Sequence, residues 1–150
     1  MTPVLSEKQT LKLPKVAVVM ATFNGANFIL EQLVSIQAQM GVDVTLFVSD
    51  DCSSDSTLSI ISDFMKSKIC VMNIVILSER VKYGSAASNF LHTLMKTPIE
   101  EYDYVCFSDQ DDIWLPKKLD RAITVMKRES SVGYSSNIIS WESDTGRCSL

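Results

Sequence analysis

The chain alternates short apolar runs with helix-periodic segments four times over, and that alternation constrains its fold more than anything else in it. Val16–Ala21 is continuous and rich in β-branched residues, the pattern of a strand buried on both faces. Behind it, Ile29, Leu33, Ile36 and Met40 lie on one face of a helix over Ala26–Met40, with Gly41 as its stop. Val44–Ser49 is a second strand. Ser56–Lys68 is a second helix, with Asp55 as N-cap and Ile61, Phe64 and Met65 inward. Val71–Leu77 is a third strand, and Ser85–Lys96 a third helix with Ala87, Phe90, Leu91, Leu94 and Met95 at helical spacing. Asp103–Ser108 is a fourth strand. Leu115–Arg128 is a fourth helix, with Pro116 in its first turn and Leu119, Ile123 and Met126 inward. The methionines at helical spacing read as core. Val132–Ser140 reads as a fifth strand and Ser143–Gly146 as a turn. Strands alternating with long helices call for parallel strands joined by right-handed crossovers, so the expected fold is α/β: a three-layer α/β/α sandwich with a mostly parallel sheet.

At 150 residues the chain is expected to make one domain, 16–150, behind a flexible leader, 1–15. The leader lacks the basic start and apolar run of a signal peptide. The longest pure apolar run, Val16–Ala21, is far short of the ~18–20 residues of a membrane span. A cytoplasmic protein is expected. Lys plus Arg number 14 and Asp plus Glu 18, a formal charge of −4, which argues against a nucleic-acid partner. A phosphorylated ligand would have to be drawn by a metal ion or by backbone N–H groups. Cys52, Cys70, Cys106 and Cys148 form no CxxC pair, and the single histidine, His92, does not complete a zinc site. Cys70 and Cys106 are expected in the core, and His92 on a helix face.

The polar residues collect where the strands end. Thr22-Phe23-Asn24-Gly25 follows the first strand and Asp50-Asp51 the second. Ser78-Glu79-Arg80 and Tyr83-Gly84 follow the third, and Asp109-Gln110-Asp111-Asp112 the fourth. A parallel sheet gathers these carboxyl ends along one edge, where open α/β sheets bind ligands. Three carboxylates within four residues repel one another unless water or a cation relieves them. Their hard oxygens suit Mg²⁺ or Mn²⁺, which is commonly held by one or two carboxylates together with substrate phosphates. The competing reading is an exposed acidic turn capping the next helix. The position directly after a buried strand, with Trp114 and Pro116 following, favours the metal. One of Asp50 and Asp51 would accept from a base or ribose while the other satisfies its own loop. Thr22-Phe23-Asn24 would line a base pocket or simply make the turn into the helix. Gly84 would let the backbone approach a phosphate or merely start a helix.

Together, VAVVMATFNGANFILEQLVSIQAQ, VSDDCSSDST, YGSAASNF and FSDQDDIWLPKKLDRA resemble the nucleotide-sugar-binding half of a GT-A glycosyltransferase of family 2, and the tail VGYSSNIISWESDTGR is similar to the segment that follows. The DQDDIWLPKKL stretch is especially like bacterial rhamnosyltransferases. The resemblance implies a nucleoside-diphosphate sugar donor, UDP- or dTDP-linked, and Mn²⁺ or Mg²⁺. It also implies inversion at the anomeric carbon and a glycan or lipid-linked acceptor in polysaccharide biosynthesis. Residue by residue, it places Thr22, Phe23 and Asn24 at the nucleoside, Asp51 at the base with Asp50 beside it, and Gly84 and Asn89 near the donor. It makes Asp109-Gln110-Asp111 the DxD motif, with Asp111 the direct metal ligand and Asp109 toward the ribose or sugar. Asp112 and Trp114 would shape the sugar pocket. The family's general base lies in an acceptor half that has no match here; Glu142 and Asp144, the acids beyond the fourth helix, sit in no matching motif. The expectation is therefore a truncated chain, with a non-catalytic donor- and metal-binding module as the alternative to a transferase. Self-association through an open sheet edge or an apolar surface left by truncation is expected, and contact with the inner face of the cytoplasmic membrane if the acceptor is lipid-linked.

Overall fold

The computed structural model describes residues 12–77, 81–142 and 147–149. Four strands, β1 (Lys15–Thr22), β2 (Asp43–Asp50), β3 (Asn73–Ile76) and β4 (Tyr104–Ser108), form one parallel sheet in the order β3-β2-β1-β4. Four helices connect and follow them: α1 (Ile29–Gln37), α2 (Thr57–Lys66), α3 (Ala86–Lys96) and α4 (Lys118–Glu129). The α/β/α expectation holds. Strand addition proceeds outward from β1 to β3 and then reverses, so β4 lies on the other side of β1. Right-handed crossovers put α1 and α2 on one face and send the returning α3 to the other.

The two faces are unequal. Val16, Val18 and Met20 of β1 and Leu46 and Val48 of β2 point to the same side. They form one core with Ile29, Leu33 and Ile36 of α1, Ile61 and Phe64 of α2, and Leu119 and Ile123 of α4. On the opposite face the one helix among the described residues that packs on β1 and β2 is α3. Asn89 and Thr93 of α3 and Thr97 at its end are buried, whereas Leu91 and Met95 are 59% and 76% exposed. Ala87 is exposed too, and only Phe90 and Leu94 are half-buried. The expected inward stripe is thus largely outward. The helix settles through small polar side chains that bond locally: Thr93 Oγ1 donates to the Asn89 carbonyl (2.7 Å) and Thr97 Oγ1 to that of Thr93 (2.8 Å).

Other expectations need correction. Helix α1 ends at Gln37, with Ala38 as its cap, and Gly41 instead makes the turn into β2 at φ +74°. Met40, Met65 and Met95 are exposed rather than core. Ser56 takes the N-cap position of α2 without a side-chain cap bond, but it is Asp55, as expected of a cap, whose carboxylate accepts from the N–H (3.0 Å) and hydroxyl of Thr57, the first residue of the helix. Helix α4 begins at Lys118, beyond Pro116, whose carbonyl accepts from Met40 N–H (2.8 Å). Cys70 and Cys106 are half-buried at the core margin. The expected strand over 132–140 is irregular and exposed up to Ile139. Pairing starts at Ser140, where β5 (Ser140–Glu142) meets β6 (Arg147–Ser149) in a separate antiparallel ribbon. The expected turn, 143–146, the leader before residue 12 and Ser78-Glu79-Arg80 lie outside the described residues. Among the described residues no helix is long and apolar enough to cross a membrane.

Candidate active site

The loops after β1, β2 and β4 gather at the carboxyl edge of the sheet, where open α/β sheets bind ligands, and the start of α3 stands beside them. A cavity of about 530 Å³ opens there, a size that suits a small-molecule ligand. Its walls bring together Thr22 and Phe23 from β1, Asp51 from β2, Gly84 and Asn89 from the start of α3, and Asp109, Gln110 and Asp111 from β4. Residues nearly ninety positions apart thus share one wall.

The loop after β2 divides the work of its two aspartates. Asp50 is buried and turned into the protein. Its carboxylate accepts from Thr22 Oγ1 (2.9 Å) and from the Ser53 hydroxyl (2.6 Å) and N–H (2.8 Å). It does not line the cavity. Asp51, also buried, does line it and takes the N–H groups of Tyr83 and Gly84, the latter at 2.9 Å. Gly84 adopts φ +72°, a left-handed conformation that glycine reaches without strain, and this turns its N–H onto Asp51. Asn24, also left-handed at φ +47°, is a turn residue. Its Oδ1 accepts from Ser54 N–H (2.9 Å) and its own N–H donates to Ser53 Oγ (2.8 Å). Asn24 therefore ties the first two loops together and lies off the cavity wall.

The loop after β4 is held from behind by α1. Gln32, fully buried, donates to Ser108 Oγ (2.7 Å), and Ser108 Oγ donates to the Asp109 carbonyl (3.0 Å). Ser35 Oγ accepts from Trp114 N–H (3.1 Å). Gln39 spans Leu115 and Leu119, donating to the carbonyl of one (2.8 Å) and accepting from the N–H of the other (3.1 Å). Trp114 is consequently a core residue, 4% exposed, with the Lys118 ammonium 4.2 Å above its ring. Neither Trp114 nor Asp112 lines the cavity. Burial and the neighbouring Asp112 and Asp111 carboxylates push the Asp109 carboxyl above its ordinary range, with Lys118 opposing them.

That repulsion is what a cation relieves. Among the described residues no three His, Cys, Asp or Glu side chains come close enough together to hold a metal by themselves. The donor set that fits is therefore Asp109 and Asp111 completed by a ligand's own oxygens or by water, as is usual for Mg²⁺. Four wall residues escaped the sequence reading, the first being Ala21 near the end of β1. Lys82 supplies a positive charge, and Ser85 and Ala86 open α3, whose amino end faces the cavity. Ser85 Oγ caps that end by accepting from Ser88 N–H (3.2 Å). The sequence signal for the cap was a serine just before a helical pattern; Lys82 carried none. No general base was identified: Asp144 lies outside the described residues, and Glu142 is described in its backbone only.

Three comparisons place this geometry among known proteins. The family model "Glycosyl transferase family 2" matches residues 17–150. The dTDP-rhamnosyl transferase RfbG of Shigella flexneri is 44% identical over 122 residues, covering 81% of this chain and 42% of that protein. The Escherichia coli glucosyltransferase WfgD, which uses UDP-Glc, is 27% identical over 115 residues, covering 77% of this chain and 42% of its own length. The chain thus spans less than half of these relatives. Among solved structures, Staphylococcus aureus TarS 1-349 in complex with UDP-GlcNAc superposes with a TM-score of 0.64 at 25% identity, over 77% of this chain and 32% of that one. The fold also matches the mannosyltransferase PcManGT of Pyrobaculum calidifontis, solved with GDP-Man and Mn²⁺, at a TM-score of 0.66 and 23% identity, over 77% and 33% of the two chains.

Proposed function

Because this chain belongs to glycosyl transferase family 2, we propose that it carries the donor site of a transferase that moves a sugar from UDP or dTDP to a glycan or lipid-linked acceptor. One observation carries the reading: Asp51, the Asp109/Asp111 pair and the amino end of α3 line the same cavity at the carboxyl edge of the sheet. Asp51 offers buried carboxylate oxygens for the N–H of a pyrimidine base, and the Phe23 ring stands on the same wall. The amino end of α3 and Lys82 face the diphosphate, where helix amides and a cation offset its charge in an otherwise acidic protein. Asp111, with Asp109, would hold Mn²⁺ or Mg²⁺, which when bound stabilises the negative charge that develops on the leaving phosphate oxygen. The likeness to RfbG favours dTDP-rhamnose as the donor.

Calorimetry with UDP and dTDP, with and without Mn²⁺, tests the donor site. Metal-dependent binding of at least one nucleotide is expected, and Asp111→Ala abolishes the metal dependence while leaving the fold intact. An absence of binding in every arm would refute the reading. Sugar transfer or donor hydrolysis distinguishes a transferase from a module that binds without turnover.

A further inference from the structure

We propose that Gln110 is a positioning residue whose side-chain amide is a strut across the cavity floor, and that residue 25 is glycine because this strut occupies the place of a side chain there. The proposal rests on the donor-site reading above. Gln110 Oε1 accepts from Phe23 N–H (2.9 Å) and Gln110 Nε2 donates to the Phe23 carbonyl (3.0 Å), so one amide takes both backbone groups of one residue. The middle residue of the Asp109-Gln110-Asp111 loop is thereby spent on the opposite wall. Among the described residues no other side chain of the 109–112 loop makes a hydrogen bond. The strut is thus the one side-chain bond from this loop to the loop after β1.

Gly25 stands directly behind it. A Cβ there would lie 2.3 Å from Gln110 Oε1 and 2.6 Å from its Cδ, closer than real contacts allow. Backbone conformation does not demand glycine, since Gly25 is not among the residues of positive φ. Its backbone partners would tolerate a methyl group: the N–H donates to Thr57 Oγ1 (2.8 Å), and the carbonyl accepts from the N–H groups of Phe28 and Ile29 (both 3.0 Å). What the missing side chain supplies is room for Gln110. Phe23 lies between Thr22 and Asn24, which are bonded to Asp50 and to Ser53 and Ser54. The strut therefore joins the two carboxylates after β4 to the loops that carry Phe23 and Asp51, and sets the spacing between the two ends of a donor.

The test is a double-mutant cycle in the intact protein with Gly25→Ala, Gln110→Ala and both together. Two readouts are taken: the melting temperature, and the ratio of UDP or dTDP affinity with and without Mn²⁺, measured well below melting. Each single variant lowers that ratio about tenfold, the scale of losing one or two amide bonds. The double variant is no worse than Gln110→Ala, because an alanine at 25 does harm only while Gln110 is there to be displaced. The melting temperatures follow the same pattern. Additive losses, a Gly25→Ala protein indistinguishable from the parent, or an unchanged Mn²⁺ ratio in both single variants would overturn the proposal. Should the parent protein bind neither nucleotide, the donor-site reading falls and with it the positioning role; the melting-temperature cycle then still decides whether the strut itself exists.

Discussion

Asp50 and Asp51 are neighbours with the same side chain and opposite duties, and what separates them is their partners. Asp50 satisfies the Thr22 hydroxyl and both polar groups of Ser53. Asp50→Leu would leave these donors unpaired inside the protein, and a loss of about 1–3 kcal/mol in unfolding free energy by urea titration is expected. Asp55 makes a comparable but exposed link. The Thr57 hydroxyl first, with the N–H groups of Ala26 and Thr57, holds its carboxyl below the ordinary value of 3.8. A depressed native value means that the unfolded chain binds the proton more readily. The contribution of Asp55 is therefore full above pH 3.8 and lost as pH falls through the native value. Replacing it with asparagine should flatten that acid limb, seen as a smaller drop in urea midpoint between neutral pH and the acid range. The sequence exposed the pair of aspartates but not their division, because the deciding partners, Thr22 and Tyr83, lie about thirty residues away on either side. Trp114 was misjudged for a related reason. Nearness to an acidic motif along the chain says nothing about which way an indole points, and this one packs into the core, with the backbone N–H held by Ser35 and Lys118 over the ring.

Helix α3 is where periodicity misled. Both of its faces have a case for burial: one carries Leu91 and Met95, the other Asn89 and Thr93. Hydropathy prefers the first. The structure buries the second: Asn89 Nδ2 reaches the Ser49 carbonyl (3.0 Å) and the threonines bond within the helix, which offsets part of the desolvation cost that counted against them, although Asn89 Oδ1 is buried without a hydrogen bond among the described residues. Hydropathy does not register such satisfaction. The start of the helix was legible, since Ser85 stands as a cap immediately before the pattern begins. Ser85→Ala should destabilise the fold by about 1 kcal/mol. It should weaken nucleotide binding along with it, because the frayed turn is the one facing the cavity; calorimetry and urea titration on the same variant measure both. Ser85→Asp restores the cap and should recover the stability.

Over the whole molecule, the gathering of the loops was readable because it follows from strand direction alone: four parallel strands must end on one side, whatever their lateral order. The order β3-β2-β1-β4 was not readable, since no residue type marks which edge of β1 receives β4, and with it went the assignment of α3 to its own face. The uneven layers carry a stability prediction. Leu33→Ala removes a fully buried side chain from the principal core and should cost about 2–5 kcal/mol. Leu91→Ala, on the outer side of α3, should stay within about 0.5 kcal/mol by the same urea titration. The principal core also contains Gln32, whose amide holds up the loop after β4. To a protein engineer, a glutamine at zero exposure among leucines and isoleucines looks like an invitation to add grease. A tougher protein obtained that way would have its cation-binding segment cut loose from its scaffold, so heat tolerance and ligand affinity are set against each other at one position on a helix that never meets the ligand.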